Sequence, residues 1–484
     1  MQQFKTRQMW TVIDHFKNLQ DCQVSGINYI PSQNTVRLGR DMHMHLAFET
    51  ELNRDIDNDF FALLPEFTLG FDGYTIQVPH GHAVFDCDLT MEYGRKQSLD
   101  ISINKMEMGV IDERQKYYWR YVYPLDNDDW FLKIAAGQYQ DDMGTRYAFN
   151  YLPIDLNANK MHLYISKRKD ERYMVIQSED MICGDEMFRR VLSITTALGL
   201  VVGRKYGDYR FCMVSSDKEF ETIEAAYWGT LDKTKTCNYR IVNPKWVDAY
   251  DMMRYPYQQY AKDMMAKSVT DPNLYYDDDP VALNAFNGLV NLCYKDNDMY
   301  LAASMLLEGT ILNIMYQMPF FHVVLETITS SLMKDEELKT PPPMPNDEFK
   351  VKVLPSLLSA LSEINDIPAE VKTKYCNRLT NNLNSSANND KLTILFDRYG
   401  YELTKYDREA IKKRNSVFHG HLTNPEKPLT DQEWQVFAIS LRLHKLCSIL
   451  LLKAAGFNGR ILNNEVIYGV KEACERKEPP YIAI

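Results

Sequence analysis

The chain has 484 residues, of which 45% are apolar, 25% charged and 12% aromatic. Those proportions exclude a mostly disordered chain, a collagen-like chain and a coiled-coil rod. At about 100–200 residues per domain the length predicts roughly two to four domains. The formal net charge of −11 argues against a protein that coats DNA or membranes.

Residues 1–180 read as strand-rich. Runs of β-branched, aromatic or alternating residues recur between turn signals at Phe67–Leu69, Tyr74–Val78, Ala83–Leu89, Leu99–Ile103, Tyr117–Tyr123, Trp130–Ala135, Lys160–Ile165 and Tyr173–Gln177. This pattern predicts a large antiparallel sheet or sandwich. The aromatic run Tyr117–Tyr121 is expected to be a strand that buries alternate residues, rather than a base-stacking surface. Helical spacing of Met187, Val191, Ile194, Leu198 and Val201 predicts one helix near 185–203, ended by Gly203. Short strands follow at Tyr209–Val214 and Cys237–Val242, and Asn243-Pro244 marks a boundary. Beyond it the pattern is helical, with segments at 245–267, 280–295, 299–316, 320–334, 349–365, 369–383, 404–422 and 430–456. The run Pro341–Pro345 must be non-helical, and the Asn-rich stretch 381–390 reads as a solvent loop. The expected plan is therefore α+β: a β-rich region at 1–244, a helical connector at 245–279 and an all-helical domain at 280–484.

Charge is distributed unevenly over this plan. Residues 1–280 carry 32 basic and 42 acidic side chains, whereas residues 371–484 carry 18 and 12. A polyanion would find its best footing in the last quarter of the chain. The nine cysteines contain no C-x-x-C and are odd in number, which points to free thiols in a reducing compartment. The N-terminus has no signal-peptide core and no 18-residue apolar run occurs, so a cytoplasmic location without a membrane partner is expected.

The segment that carries chemistry is Asp407–Leu422, DREAIKKRNSVFHGHL. Asn415 and His419 are i and i+4 and share a helix face. Arg414 and His419 lie about 140° apart on an ideal helix and flank a common groove. Lys412 and Lys413 extend the basic run and are candidates for RNA-phosphate binding. A His near its ordinary pKa can exchange protons at neutrality, and Arg offers a permanently charged fork for a phosphate. Asn could orient the imidazole or bind the phosphate. These parts suffice for RNA cleavage without metal or cofactor. The 2′-hydroxyl attacks the adjacent phosphorus, His moves the proton, and Arg stabilises the developing charge. The products are a 2′,3′-cyclic phosphate and a 5′-hydroxyl.

Metal chemistry is not expected. His419 and His421 point apart on a helix. His43/His45 and His80/His82 could each share a strand face, but no carboxylate or Cys triad accompanies either pair. Gly199-x-x-x-Gly203 lacks the Lys-Ser/Thr ending of a phosphate-binding loop.

RNSVFHGHL, a loop, and then LRLHKLCSILLLKAAGFNG resemble the HEPN superfamily, and within it the ApeA-type abortive-infection proteins. The resemblance covers 280–460 by architecture and is specific over 407–460. It implies a helical-bundle nuclease domain that works as a homodimer, with Arg414, Asn415 and His419 on the motif positions. It also implies an acidic residue on a nearby helix, with Glu308 and Glu409 as candidates. Anti-phage defence is implied, with transfer RNA as substrate and a phage-derived trigger acting on the β-rich region. Two other readings stand beside it: a non-catalytic HEPN module that binds nucleic acid or a partner protein, and a ligand-recognising β region on a helical dimerisation scaffold.

Overall fold

The computed structural model describes residues 2–31, 33–38, 44–51, 63–71, 73–86, 96–125, 137–157, 159–207, 210–229, 235–241, 283–335, 338, 341–384, 388–414 and 429–484. The chain divides into two compact units. One comprises 1–246 with 277–295, the other 247–276 with 296–484. The α+β plan holds: a β-rich unit precedes a helical one.

In the first unit a 12-stranded sheet runs in the order Gln2–Phe4, Gly137–Asp141, Arg146–Leu156, Asn159–Arg168, Glu171–Ser178, Tyr118–Leu125, Arg210–Ser215, Ala225–Gly229, Lys105–Met108, Tyr74–Val78, Phe67–Phe71 and Gln23–Ser25. A five-stranded antiparallel sheet follows the order Asn18–Gln20, Asn34–Leu38, Met44–Glu51, Lys96–Ile103 and Ala83–Phe85. The predicted strand at 130–135 and the connector helix at 245–267 lie outside the described residues.

Helix α1 (Arg7–Lys17) was not expected among the strands. It forms because Met9, Trp10, Val12, Ile13 and Phe16 recur at helical spacing and are all buried. Trp10 meets Tyr173 edge-on at 5.2 Å and joins the core cluster that contains Val122 and Val175. Helix α2 (Gly184–Val202) packs on strand Tyr118–Leu125, where the Trp119 indole donates to the Ile182 carbonyl at 2.7 Å. That strand therefore buries consecutive residues, Trp119 to Tyr123, instead of alternate ones. Asp185 and Glu186 suit the positive N-terminus of α2, and Gly203 ends the helix at φ 71°, where a side chain would be strained.

Helix α3 (Leu283–Lys295) belongs to the first unit and not to the C-terminal domain, contrary to the boundary at 280. Its buried face packs on α2 and on Arg146–Leu156. Asn291 donates to the Asp155 carbonyl at 2.7 Å and accepts from the Asn157 N–H at 3.0 Å, and Arg189 donates to the Tyr294 carbonyl at 2.6 Å. These polar contacts carry no periodicity and are invisible to pattern reading.

The helical unit contains α4 (Asn297–Gly309), α5 (Ile314–Leu332), α6 (Leu354–Glu363), α7 (Ala369–Asn382), α8 (Asn388–Arg398), α9 (Lys405–Lys412) and α10 (Leu429–Ala454). Helix α5 is central, packing on α4, α8 and α10. Gly309 permits a close crossing: a Cβ there would lie 2.4 Å from the Phe321 ring. Phe321 also meets His444 of α10 edge-on at 5.5 Å. Residues 430–454 are long and apolar enough to cross a membrane, yet 83% of the apolar window is buried within the fold, as befits a core helix. The unit is not purely helical. Arg460–Leu462 and Tyr481–Ala483 pair as a two-stranded sheet around short helices α11 (Asn464–Ile467) and α12 (Lys471–Glu475).

Candidate functional site

Helix α9 carries the start of the basic motif, and its position is set at its first turn. Thr404 caps the helix by accepting from the Asp407 N–H at 3.2 Å, while Asp407 Oδ2 accepts from the Thr404 N–H at 2.9 Å. Such a reciprocal cap contributes about 1 kcal/mol. Asp407 is fully buried and does more than cap. Lys445 of α10 lies 3.1 Å from its carboxylate and Arg442 lies 3.8 Å away. Glu465 shares the same two cations, at 2.7 Å from Arg442 and 3.7 Å from Lys445.

The carboxylates of this network titrate in opposite directions. Burial opposes ionisation of Asp407, but Lys445, Thr404 and Arg442 together hold its carboxyl below the usual range. At Glu465 burial outweighs the two cations and the carboxyl is pushed up. Lys445 stays protonated above its ordinary value, because Glu465 and Asp407 outweigh its burial. Breaking such a buried group by removing one partner costs about 3–5 kcal/mol. The network therefore fastens α9 to α10.

The far end of α9 presents Lys412, Lys413 and Arg414. Lys412 and Lys413 are exposed, and Arg414 is partly buried with 24% of its side chain accessible. Arg414 Nε pairs with Glu326 Oε1 of α5. One helical turn before Glu326, His322 is 1% exposed. Burial, and then the charge of Arg414, push the His322 imidazole down to about 4. The imidazole is therefore neutral near pH 7. His444, buried beside Phe321, is pushed down to about 3 by burial alone.

Arg414 is thus set between a helix fixed to α10 and a helix packed on α10. Asn415 and His419 lie outside the described residues, as does His421. The acid that the structure pairs with Arg414 is Glu326, which the sequence reading did not single out. Glu308 sits half-buried on α4, and Glu409 is exposed on the opposite side of α9 from the apolar contacts of that helix. A signal for the missed residues was present: His322 and Glu326 are i and i+4 within the apolar run FFHVVLETI, so they occupy one face of a buried helix.

A cavity of ≈ 660 Å³ borders α9, lined among others by Tyr406, Glu409, Lys413, Trp434, Arg442 and Arg476. The spacing 406, 409, 410, 413 sets one face of α9 against the cavity, and Arg414 follows on the adjacent face. The guanidinium of Arg476 lies 3.9 Å above the Tyr406 ring, which fixes that wall. The volume is that of a site for a small molecule or one nucleotide. The arrangement offers a held guanidinium, two exposed ammonium groups and an aromatic-walled cleft along one short helix. No protein-family model, curated protein or solved structure matches the chain.

Proposed function

We propose that the chain is a metal-independent endoribonuclease of the HEPN type, working in anti-phage defence. The observation that carries the reading is Arg414, held by Glu326 at the end of a helix anchored through Asp407, beside exposed Lys412 and Lys413. A half-buried, oriented guanidinium among cations suits a phosphate whose charge grows in the transition state. In this reading the 2′-hydroxyl of the substrate attacks its own 3′-phosphorus. His419 takes the hydroxyl proton and, as the imidazolium so formed, passes it to the departing 5′-oxygen. Asn415 orients the imidazole or the phosphate, and Arg414 offsets the added negative charge. Lys412 and Lys413 hold flanking phosphates. Trp434 gives an unpaired base a surface on which to stack. A homodimer, transfer RNA as substrate and a phage-derived trigger at the β-rich unit complete the proposal and rest on the family resemblance, while a cytoplasmic location rests on the unpaired cysteine pattern of the sequence.

Growth of phage-challenged cells tests it. Wild type is expected to protect. Arg414→Ala and His419→Ala, shown folded, are expected to lose protection. Equal protection by all three would overturn the catalytic reading in favour of a nucleic-acid or protein-binding module.

A further inference from the structure

The β-rich unit brings together three metal-ligating side chains that are far apart in sequence. Strands Met44–Glu51 and Lys96–Ile103 pair antiparallel, with His45 opposite Ser102 and Ala47 opposite Asp100. Asp100 is therefore diagonal to His45 on the same sheet face. On the other side, Ala83–Phe85 pairs with the same strand, Phe85 opposite Ile101. The Asp86 N–H then donates to the Asp100 carbonyl at 2.9 Å and brings Asp86 opposite Asp100. Alternation sends Met44, Leu46, Phe48, Phe85, Leu99, Ile101 and Ile103 to the core. His45, Asp86 and Asp100 are left together on the reverse face.

The geometry is that of a ligand set. One donor atom from each residue lies within 4.8 Å of the other two. His45 Nδ1 is 3.2 Å from Asp100 Oδ2. Two donors held at about 2.1 Å from one tetrahedral ion lie about 3.4 Å apart. His45 is 8% exposed, and Asp100 Oδ1 is buried and accepts no hydrogen bond from the described residues. Carboxylates directly opposite each other on a sheet repel, and a buried carboxylate oxygen without a donor is costly. A single dication answers both, and two carboxylates balance its charge beside a neutral imidazole.

We propose that His45, Asp86 and Asp100 bind one divalent transition-metal ion, with zinc the fitting case. The imidazole selects against magnesium and calcium, which take oxygen ligands. Three protein ligands leave a position for water. The site lies in the β-rich unit, and the RNA chemistry proposed for Arg414 does not use it. Its role is to stiffen the five-stranded sheet or to report the ion.

The test uses full-length protein stripped with EDTA and dialysed. Zinc chloride is titrated by calorimetry and by thermal melting, with magnesium chloride as control. One equivalent of zinc is expected to bind with micromolar or tighter affinity and to raise the melting temperature, while magnesium leaves it unchanged. Asp86→Asn and Asp100→Asn should each weaken binding at least tenfold. Asp86 is exposed, so its variant should melt like the stripped wild type. Absence of zinc binding, or equal affinity and stoichiometry in wild type and the double Asn variant, would overturn the assignment.

Discussion

Replacing Glu326 by Gln keeps the side chain's size and removes its charge from Arg414. The ion pair is charge-assisted, a type of contact that contributes about 1.5–3 kcal/mol when shielded. Here 24% of the Arg414 side chain and 32% of Glu326 are exposed, so solvent screening reduces the value to about 1–2 kcal/mol. If that energy holds the guanidinium in place for the phosphate, cleavage should slow by about 5–30-fold, since 1.36 kcal/mol is tenfold in rate. The stronger expectation is non-additivity. Once Arg414 is Ala, the Glu326→Gln change has nothing left to orient, and the double variant should be no slower than Arg414→Ala alone. The assay is single-turnover cleavage of a labelled RNA by the four proteins of the cycle, with melting curves as a folding control. Wild-type cleavage by Glu326→Gln, or two losses that simply add, would refute a positioning role for Glu326.

Other consequences follow from the same packing. His322 and His444 have folded-state values of about 4 and about 3, below the ordinary 6.5. The unfolded chain therefore binds more protons between these limits, and stability falls as the pH drops from 6.5 toward 4. Each histidine contributes up to about 3 kcal/mol by pH 4, and His162, also lowered by burial, acts in the same direction. Melting temperatures of wild type and His322→Gln at pH 7 and pH 4.5 should show a smaller acid loss in the variant; parallel losses would contradict this. Gly309→Ala drives a methyl into the Phe321 ring and should destabilise the helical unit by about 1–3 kcal/mol in urea titrations. Asp407→Asn leaves Lys445 and Arg442 short of one buried charge and should cost about 3–5 kcal/mol, read as a lower melting temperature. A change of under half a kilocalorie would show that the network does not fasten α9.

Where apolar periodicity was strong, the expected elements match the structure closely. The strand Tyr74–Val78, helix α2 and helix α10 were legible because each buries one consistent pattern of side chains. Helix α1 was missed because its β-branched and aromatic residues resemble the neighbouring strands, although their spacing is helical. Helix α8 begins inside the Asn-rich run that read as a loop, and among its described side chains Leu392, Leu395 and Phe396 are the buried ones. The position of α3 depends on side-chain hydrogen bonds to Asp155 and Asn157, which no local pattern encodes. Arg414 was legible as a motif residue. Glu326 stood out only as one of two polar residues on a buried helix face, and its pairing with Arg414 was not legible, because α9 and α5 are brought together by packing on α10. The ligand set of His45 escaped for the same reason: sheet register, not sequence proximity, supplies Asp86 and Asp100.

Metal-free RNA cleavage at Arg414 and His419 is the core of the proposed function. The most direct measurement incubates wild type, Arg414→Ala and His419→Ala, each shown folded, with RNA from phage-infected cells in excess EDTA, and maps every new end. Metal-free cleavage by this site requires cuts from wild type alone, each leaving a 2′,3′-cyclic phosphate and a 5′-hydroxyl. Cuts that vanish on chelation, cuts ending in a 5′-phosphate, or identical cutting by all three proteins would contradict it.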